Sequence, residues 1–418
     1  MKYFYLFLSF LFIQNLSFAQ SGCDGTRYVV PVFDSISVET IKYGENLDIS
    51  GENQELFMDI YQPFGDTLSQ RPLVILAYGG AFISGQREDM ELFATGLAQR
   101  GMVAASIDYR LLEVNGLGDI PDSTDFMDIA FKAISDMKGS IREMRKIADN
   151  GNPYRIDSDM IFVGGVSAGA ITALQTAYLD STDVIPDFLV PIIAANGGLD
   201  GNTGDSLNQT YSAEVNGVIN GSGALYRTDW MDEGEVPFTS YHGTEDEVVP
   251  FNFGIATIRV GIFPIMIVSL NGSGNLKIRA DDLNIPNILE TVEGGGHADI
   301  YTDAVYASNL ANFLNNSSSF LETIFCGTIS SNEESIQELN VEVYPNPVDQ
   351  VININIKEES NDAHQIQLID AMGRVIINYR TTSFENNITL ENRGWAKGMY
   401  YLNIQSEKGR SITKLLVQ

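Results

Sequence analysis

The chain has 418 residues, of which 44% are hydrophobic and 19% are charged, a composition typical of a folded protein with a substantial core. Its 55 acidic side chains outnumber 25 basic ones, which gives a formal net charge of −30. A surface this acidic repels phosphate backbones and anionic lipids, so we expect no nucleic-acid partner.

The first twenty residues have the pattern of a secretory signal. A lysine is followed by the apolar run Tyr3–Ile13, and the small residues Ser17 and Ala19 stand at −3 and −1 of a cleavage site. We therefore predict a signal peptide over residues 1–19 and a secreted, extracellular or surface-attached protein. Lipid attachment at Cys23 is a weaker interpretation, because a glutamine stands where a lipoprotein signal has an aliphatic residue. The run is too short to span a membrane, and we expect no other span.

Strands and helices alternate through most of the chain. Strand-like patterns come first, over residues 27–63. Buried strands are then predicted at 71–80, 102–110 and 160–166, helices at 90–101, 124–149 and 168–179, further strands near 215–221, 236–242, 263–269 and 287–293, and a last helix near 298–314. This alternation predicts an α/β fold with a mostly parallel, doubly wound sheet.

The composition changes after Cys326. Residues 327–340 are polar and acidic, which is typical of a linker, and from residue 341 the pattern has a period of two. Seven short strands with turns between them predict a small all-β sandwich over 341–418. The domains are thus expected at 20–326, with an insertion or cap at about 180–214, and at 341–418.

A G-x-S-x-G stretch, Gly165–Gly169, follows a predicted strand and opens a predicted helix. In that context the serine sits on a sharp turn that presents its hydroxyl above the sheet. The helix start directs free N–H groups toward an anion formed there. Ser167 is therefore the candidate nucleophile.

A serine hydroxyl needs a base, and the chain has three histidines. Hydrolases with this turn order the triad as serine, acid and histidine. His364 lies in the predicted sandwich. Of the three histidines, only His297 leaves room for an acid between Ser167 and itself. For the acid we choose Asp246 from the segment HGTEDEVVP, which would hold the imidazole tautomer and stabilise the imidazolium.

The glycine-rich segment after the strand at 71–80 supplies the fourth component. The backbone N–H groups of Gly80 and Ala81, with that of Ala168, are predicted to bind a developing oxyanion. The adjacent Phe82 is a candidate substrate-binding residue. No metal or organic cofactor is expected. A calcium site is an alternative interpretation of three residues in the insertion, Asp200, Asn202 and Asp205. Their spacing departs from that of the usual calcium-binding loop, which favours a solvated loop without a metal.

Three segments carry a resemblance to a known family: RPLVILAYGGAFISG (71–85), GGVSAGA (164–170) and HGTEDEVVP (242–250). With these motifs, residues 50–320 resemble an α/β-hydrolase-fold carboxylesterase of the branch with an H-G-G-G-type motif, which includes feruloyl and acetyl-xylan esterases. The resemblance implies hydrolysis of a small-molecule or polymeric ester. Two departures are Tyr78, where the family has histidine, and Ala81, where it has a third glycine.

Residues 341–418 resemble the C-terminal sorting domain of the Por (type IX) secretion system, through VYPNPV (343–348), IDAMGR (369–374), GMYYL (398–402) and ITKLLVQ (412–418). This resemblance implies passage through outer-membrane secretion machinery, followed by release or surface attachment. A carbohydrate-binding sandwich is the rival interpretation. It would need a platform of exposed aromatics, for which Trp395 and Tyr400 are the candidates.

The main hypothesis is a secreted serine esterase. The alternatives are a serine peptidase of the prolyl-oligopeptidase type, which usually adds a long β-propeller that has no room here, and a non-catalytic surface adhesin on a hydrolase scaffold. Cys23 and Cys326 border the predicted catalytic domain. In an exported protein they can form a disulfide or remain two free thiols.

Overall fold

The computed structural model describes residues 22–113, 121–260, 263–327, 337–357, 364–370, 375–381, 386–392, 394–406 and 409–417. The predicted signal peptide, most of the predicted linker and part of the segment 369–374 lie outside the described residues.

Eleven strands lie between residues 22 and 327 of the described chain: β1 (Ile36–Leu47), β2 (Asn53–Pro63), β3 (Arg71–Ala77), β4 (Val103–Ile107), β5 (Ile156–Val166), β6 (Val218–Gly221), β7 (Ala224–Leu225), β8 (Phe238–Gly243), β9 (Phe253–Val260), β10 (Phe263–Gly272) and β11 (Asn287–Val292). The helices are α1 (Glu91–Gln99), α2 (Ser123–Asp149), α3 (Ala168–Tyr178), α4 (Val190–Ala195), α5 (Ser273–Leu283), α6 (Asp299–Thr302) and α7 (Ala307–Phe325).

An eight-stranded sheet forms the centre, in the order β1-β2-β4-β3-β5-β6-β8-β11. The pairs β1–β2 and β2–β4 are antiparallel, and the remaining neighbours are parallel. Strands β3 and β4 are buried at every residue, as expected for strands covered on both faces. Helix α1 packs with α7, and α2 with α3. The predicted mostly parallel sheet with flanking helices is confirmed.

The longest helix, α2, shows why the sequence pattern predicted its bounds so closely. The side chain of Asp122 accepts from the N–H groups of Thr124 and Asp125, and the Asp125 carboxylate accepts from the N–H of Asp122. This reciprocal cap satisfies donors that a helix start leaves unpaired. The apolar residues that the sequence pattern placed on one face are buried, and the polar residues between them from Ser135 to Arg142 are buried as well, so the middle of α2 is covered on all sides.

One sequence expectation for a strand is wrong, and one strand that the sequence predicted correctly lies outside the central sheet. Residues 27–33 form no strand. Instead the N–H of Tyr28 donates to Arg100 O, and those of Val32 and Phe33 donate to Gln99 O, so the segment satisfies carbonyls at the end of α1. The strand near 263–269 exists as β10, but it lies outside the central sheet. It pairs with its chain neighbour β9 in an antiparallel hairpin, which β7 extends.

The predicted last helix is divided into α6 and α7. Asp303 interrupts it with an extended backbone, at φ −82° and ψ 132°. Directly after α7, Cys326 is joined to Cys23 by a disulfide, across a sequence separation of 303 residues. The bond links the two ends of the α/β part of the chain.

The C-terminal part consists of small sheets. Its strands are β12 (Gln337–Glu338), β13 (Val341–Tyr344), β14 (Val351–Ile356), β15 (Gln365–Asp370), β16 (Val375–Arg380), β17 (Asn387–Glu391), β18 (Gly398–Gln405) and β19 (Gly409–Val417). They form one sheet in the order β12-β19-β18-β15-β16 and another in the order β13-β14-β17. A separate hydrophobic cluster fills this part, with alternate residues of β14 buried. The predicted all-β fold is confirmed.

Candidate active site

Ser167 stands at the turn between β5 and α3, with φ 54° and ψ −118°. A positive φ is unfavourable for a residue with a side chain and persists only where the surroundings fix it. Here the N–H of Ser167 donates to Gly221 O at 2.7 Å. The turn thus holds the serine backbone in a strained conformation.

The glycines on either side of Ser167 are required by close backbone approach. A Cβ built on Gly165 would lie 2.3 Å from Ala77 O, and one on Gly169 would lie 2.0 Å from the same oxygen. No side chain fits in that space. Strand β3 therefore passes directly beneath the turn, which accounts for the spacing of the motif.

His297 lies in the loop after β11, and its two ring nitrogens face two of the predicted site residues. Nε2 is 2.8 Å from Ser167 Oγ, and Nδ1 is 2.6 Å from Asp246 Oδ2. Asp246 lies in the loop after β8, the strand adjacent to β11. Because parallel strands bring their carboxyl ends to one edge of a sheet, three residues far apart in sequence meet there.

The Asp246 carboxylate is fully buried yet surrounded by donors. Its Oδ1 accepts from the N–H groups of Val248 and Val249, both at 2.8 Å. Burial alone would raise the pKa of Asp246, but hydrogen bonds from His242 and His297 hold that pKa well below its usual range. These donors therefore favour the ionised form of the carboxylate.

His242 is a functional candidate that the sequence reasoning did not select. It is fully buried at the end of β8, with Nε2 3.2 Å from Asp246 Oδ2 and Nδ1 2.8 Å from Ser273 Oγ. The signal was present in the sequence, as the first residue of the segment that contains Asp246. The serine, acid, histidine order of the triad favoured His297 instead.

The loop after β3 has three consecutive residues with positive φ: Gly80 at 120°, Ala81 at 56° and Phe82 at 60°. Gly80 needs its glycine, since a Cβ there would lie 2.0 Å from Ser84 O. Within the described ranges, the N–H groups of Gly80, Ala81 and Ala168 donate to no protein acceptor. They are available to bind an oxyanion.

Tyr78 anchors the start of this loop. Its ring stacks on that of Tyr109 with centroids 4.3 Å apart, and the Tyr109 hydroxyl donates to Tyr78 O at 2.8 Å. Phe82 O accepts from the N–H of Leu112 at 2.7 Å. The loop is thus fixed to the segment after β4 by two backbone acceptors.

Two spaces adjoin Ser167. One is an apolar cavity, more enclosed than the other space, lined by Phe82, by residues of α2 and by the β9–β10 hairpin. The other is an open cleft lined by Gly80, His297, Tyr301 and Thr302, among others. Ala81, Ser167, Val248 and Ile258 line both.

The cover over the cavity differs from the expected one. Of the predicted cap at 180–214, Leu189 lines the cavity, whereas the β9–β10 hairpin contributes Ala256, Ile258, Ile267, Val268 and Leu270. Much of the remaining insertion packs on α2, where Lys138 Nζ donates to Leu199 O and Arg142 donates to the carbonyls of Asp200 and Thr203. These hydrogen bonds hold this part of the insertion against α2.

Two of the three residues considered for a calcium site, Asp205 and Asn202, have protein partners. Asp205 accepts from the N–H of Asn208 and pairs with Lys146, and Asn202 Oδ1 accepts from Asn46 Nδ2. Among the residues that the structure describes, no three His, Cys, Asp or Glu side chains cluster in a way that could hold a metal ion. No helix of the same residues is long and apolar enough to cross a membrane.

Two family models match the chain. Residues 58–230 match BD-FAE, and residues 342–418 match the secretion system C-terminal sorting domain. A curated relative, a probable isoprenylcysteine alpha-carbonyl methylesterase of Oryza sativa subsp. japonica, is 30% identical over 128 residues. That alignment covers 31% of this chain and 26% of the relative, so the chain spans about a quarter of the relative's length.

Solved structures of an esterase from Thermogutta terrifontis are also similar. The propionate-bound form has a TM-score of 0.47 and 20% identity, covering 68% of this chain and 93% of that one. The butyrate-bound form has a TM-score of 0.47 and 18% identity, covering 71% of this chain and 96% of that one.

Proposed function

We propose that the chain is an α/β-hydrolase esterase with a type IX sorting tail, and that it hydrolyses carboxylic esters through an acyl-enzyme intermediate on Ser167. The observation that carries this proposal is the hydrogen-bonded series from Ser167 Oγ through His297 to Asp246, at 2.8 and 2.6 Å. A nucleophile, a base and a group that orients the base are the minimum set for such chemistry.

In the first half-reaction, His297 Nε2 takes the proton of Ser167 as Oγ attacks the ester carbonyl carbon. The carbonyl oxygen becomes an oxyanion, which the N–H groups of Gly80, Ala81 and Ala168 stabilise. His297 then gives the proton to the alcohol oxygen, the C–O bond breaks, and the alcohol leaves an acyl-serine.

In the second half-reaction, water replaces the alcohol. His297 removes a proton from the water as its oxygen attacks the acyl carbon, and the proton passes to Ser167 Oγ when the acid is released. Asp246 stays ionised in both halves. It accepts the Nδ1 hydrogen and stabilises the imidazolium that forms in each transition state.

The test is ester turnover by matched serine variants. Ser167→Ala should lower kcat for p-nitrophenyl butyrate by at least about 10⁴-fold, since no other group can form the acyl-enzyme. Ser140→Ala removes a buried serine within α2 and should leave kcat within about twofold. Comparable turnover by wild type and Ser167→Ala would contradict the assignment.

The same assay separates the alternatives. Cleavage of amide substrates but not esters would favour a peptidase. Absence of any turnover by the wild-type protein, together with binding to a surface polymer, would favour an adhesin. Mass spectrometry of protein quenched during turnover should find one acyl group on the peptide that contains Ser167.

Export is the second part of the proposal. The sorting tail indicates a secreted, extracellular or cell-surface protein, and we infer that the outer-membrane secretion machinery recognises residues 342–418. Deletion of those residues should leave the protein inside the cell, while an unchanged extracellular fraction would contradict the inference.

A further inference from the structure

We propose that the preferred substrates are esters of short unbranched aliphatic acids, of about four carbons, with the acyl chain in the apolar cavity and the alcohol in the open cleft. This inference rests on the proposed function, because it assumes acyl transfer through Ser167. Three observations carry it: the position of His297, the chemistry of the cavity wall and the sizes of the two spaces.

The position of His297 decides which part of the ester lies where. His297 must deliver a proton to the alcohol oxygen, so the alcohol has to leave on the side of its ring. His297 lines the open cleft, with its neighbours Ala298, Tyr301 and Thr302, and it does not line the apolar cavity. The acyl group therefore points the other way, past Ala81 and Ala168 into the cavity.

The wall of the cavity offers an acyl group almost no polar contact. One side comes from α2, with Phe126, Met127, Ala130, Phe131 and Ile134, and the opposite side comes from the β9–β10 hairpin. Gln175 also lines it, but its amide nitrogen donates to Ile171 O and Ala224 O, and its amide oxygen accepts from the N–H of Tyr226.

Trp230 contributes to the same wall. Its indole nitrogen is inaccessible to solvent, so the cavity meets ring carbon atoms. A charged or hydroxylated acyl group would lose its hydration in this space without recovering hydrogen bonds. An aliphatic chain has no hydrogen bonds to water to lose, and its transfer from water into the cavity is favourable.

The size of each space sets the expected chain length. The volume of the cavity is about 80 Å³, and that of the cleft is about 670 Å³. An apolar cavity of about 150 Å³ holds one benzene molecule, so the smaller cavity has room for about three carbon atoms beyond the carbonyl. The cleft is open to solvent and accepts a much larger alcohol.

The first experiment varies the two halves of the ester separately. In a series of p-nitrophenyl esters from acetate to dodecanoate, kcat/KM should rise about threefold to fourfold per methylene as far as butyrate, and then fall. In a series of alkyl acetates, kcat/KM should change less than threefold with alcohol length. The reverse result, with alcohol length deciding the rate, would overturn the orientation.

The second experiment compares adjacent residues on opposite faces of β9. Ala256→Phe fills the cavity and should lower the ratio of kcat/KM for butyrate to that for acetate about tenfold. Ile255 is exposed on the other face, and Ile255→Phe should leave this ratio within twofold. Ala130→Leu fills the cavity from α2 and repeats the test if the hairpin variant does not fold.

The outcomes distinguish the two proposals. If acetate is the best substrate and turnover still requires Ser167, the acyl-chain inference is wrong and the esterase proposal stands. If both cavity variants change all esters equally, the cavity does not bind the acyl group. If Ser167→Ala retains turnover, the proposed function itself fails.

Discussion

His242 Nε2 lies 3.2 Å from Asp246 Oδ2, the same oxygen that His297 Nδ1 contacts at 2.6 Å. Two imidazoles therefore share one oxygen of one carboxylate. One of them faces Ser167, and the other is fully buried behind the site.

Hydrogen bonds behind His242 determine which of its nitrogens carries the proton. The N–H of Gly223 donates to Asn220 Oδ1, so Asn220 Nδ2 must be the group that donates to Ser273 Oγ. The Ser273 hydroxyl then donates to His242 Nδ1. His242 therefore carries its hydrogen on Nε2 and donates it toward Asp246 and Val249 O.

Replacing His242 should affect the pH profile through Asp246. In His242→Leu the carboxylate loses a donor and binds the proton shared with His297 more tightly. We expect the acidic limb of kcat/KM to move to higher pH and kcat at pH 8 to fall about tenfold. A positioning role in this sense differs from a purely structural one, which would leave the pH profile in place.

His242→Gln is the matched control, because its amide nitrogen can donate from nearly the position of Nε2. It should recover most of the profile. Measurement requires kcat/KM from pH 5 to 9 and the urea midpoint for each variant. Equal pH profiles for wild type, leucine and glutamine variants would show that His242 does not act through Asp246.

The φ of 56° at Ala81 predicts a second pair of effects. Alanine in this region costs on the order of 1 kcal/mol, glycine adopts it freely, and a β-branched residue is disfavoured further. Ala81→Gly should keep kcat within about threefold and should not lower Tm. Ala81→Val should lower kcat at least tenfold, because it displaces the N–H toward the oxyanion.

Thermal unfolding and p-nitrophenyl butyrate turnover measure both variants. The comparison isolates backbone conformation, because both replacements retain the N–H at position 81. A valine variant that is as active and as stable as the glycine variant would show that the loop does not require the positive φ.

The sequence predicted the central architecture because its signals are local. Continuous apolar runs and helical periods mark β3, β5 and α2, and the order of these elements restricts the topology. The position of β10 was not predictable in this way. Its apolar pattern is that of a strand, but pairing with β9 depends on which neighbour is adjacent in space.

For the candidate site, motif spacing selected Ser167, Asp246 and His297, and in the structure His297 lies within hydrogen-bonding distance of both other side chains. Their catalytic roles stay predictions. The spacing could not identify Ala256 or Ile258 as cavity residues, since the hairpin comes from a segment with no motif. Nor could it identify the contact of His242 with Asp246, which depends on how the loop after β8 turns back.

The disulfide between Cys23 and Cys326 should contribute to stability mainly through the unfolded chain. It joins residues separated by 303 positions, and long loops lose the most entropy on closure. Cys23→Ser with Cys326→Ser should lower the free energy of unfolding by up to about 5 kcal/mol. Since both residues lie away from Ser167, kcat for butyrate should remain within twofold.

Urea unfolding of wild type with and without a reductant checks the same point. Reduction of the wild type should lower its free energy of unfolding to that of the double variant. The reductant should not change the free energy of unfolding of the double variant itself. An equal effect of reductant on both proteins would assign the loss to another cause.

Glu235 predicts a pH dependence of stability unrelated to catalysis. Burial raises its pKa to about 7, with further contributions from Asp232, Asp180 and Asp183. The folded protein therefore keeps a proton on this carboxyl between the ordinary pKa, near 4.5, and about 7, while the unfolded chain has released it. Stability is highest below this window, falls as the pH rises through it, and remains lower above it.

Glu235→Gln should remove the loss of stability that accompanies ionisation of this carboxyl. The glutamine keeps an acceptor for the N–H of Asp232, which donates to Glu235 Oε2. At pH 8 the variant should be more stable than wild type by about 1 kcal/mol, a value reduced for the solvent exposure of a half-buried group. At pH 4.5 the two proteins should be equal, because both side chains are then largely uncharged. Urea unfolding at the two pH values measures the difference.

Glu233→Gln is the control for the simple loss of one negative charge from an acidic protein. Glu233 is exposed, so its replacement should change stability by less than about 0.5 kcal/mol at either pH. If the two glutamine variants gain equally at pH 8, the effect comes from net charge and not from the burial of Glu235. If only Glu235→Gln gains, the buried carboxylate is the group whose ionisation opposes folding.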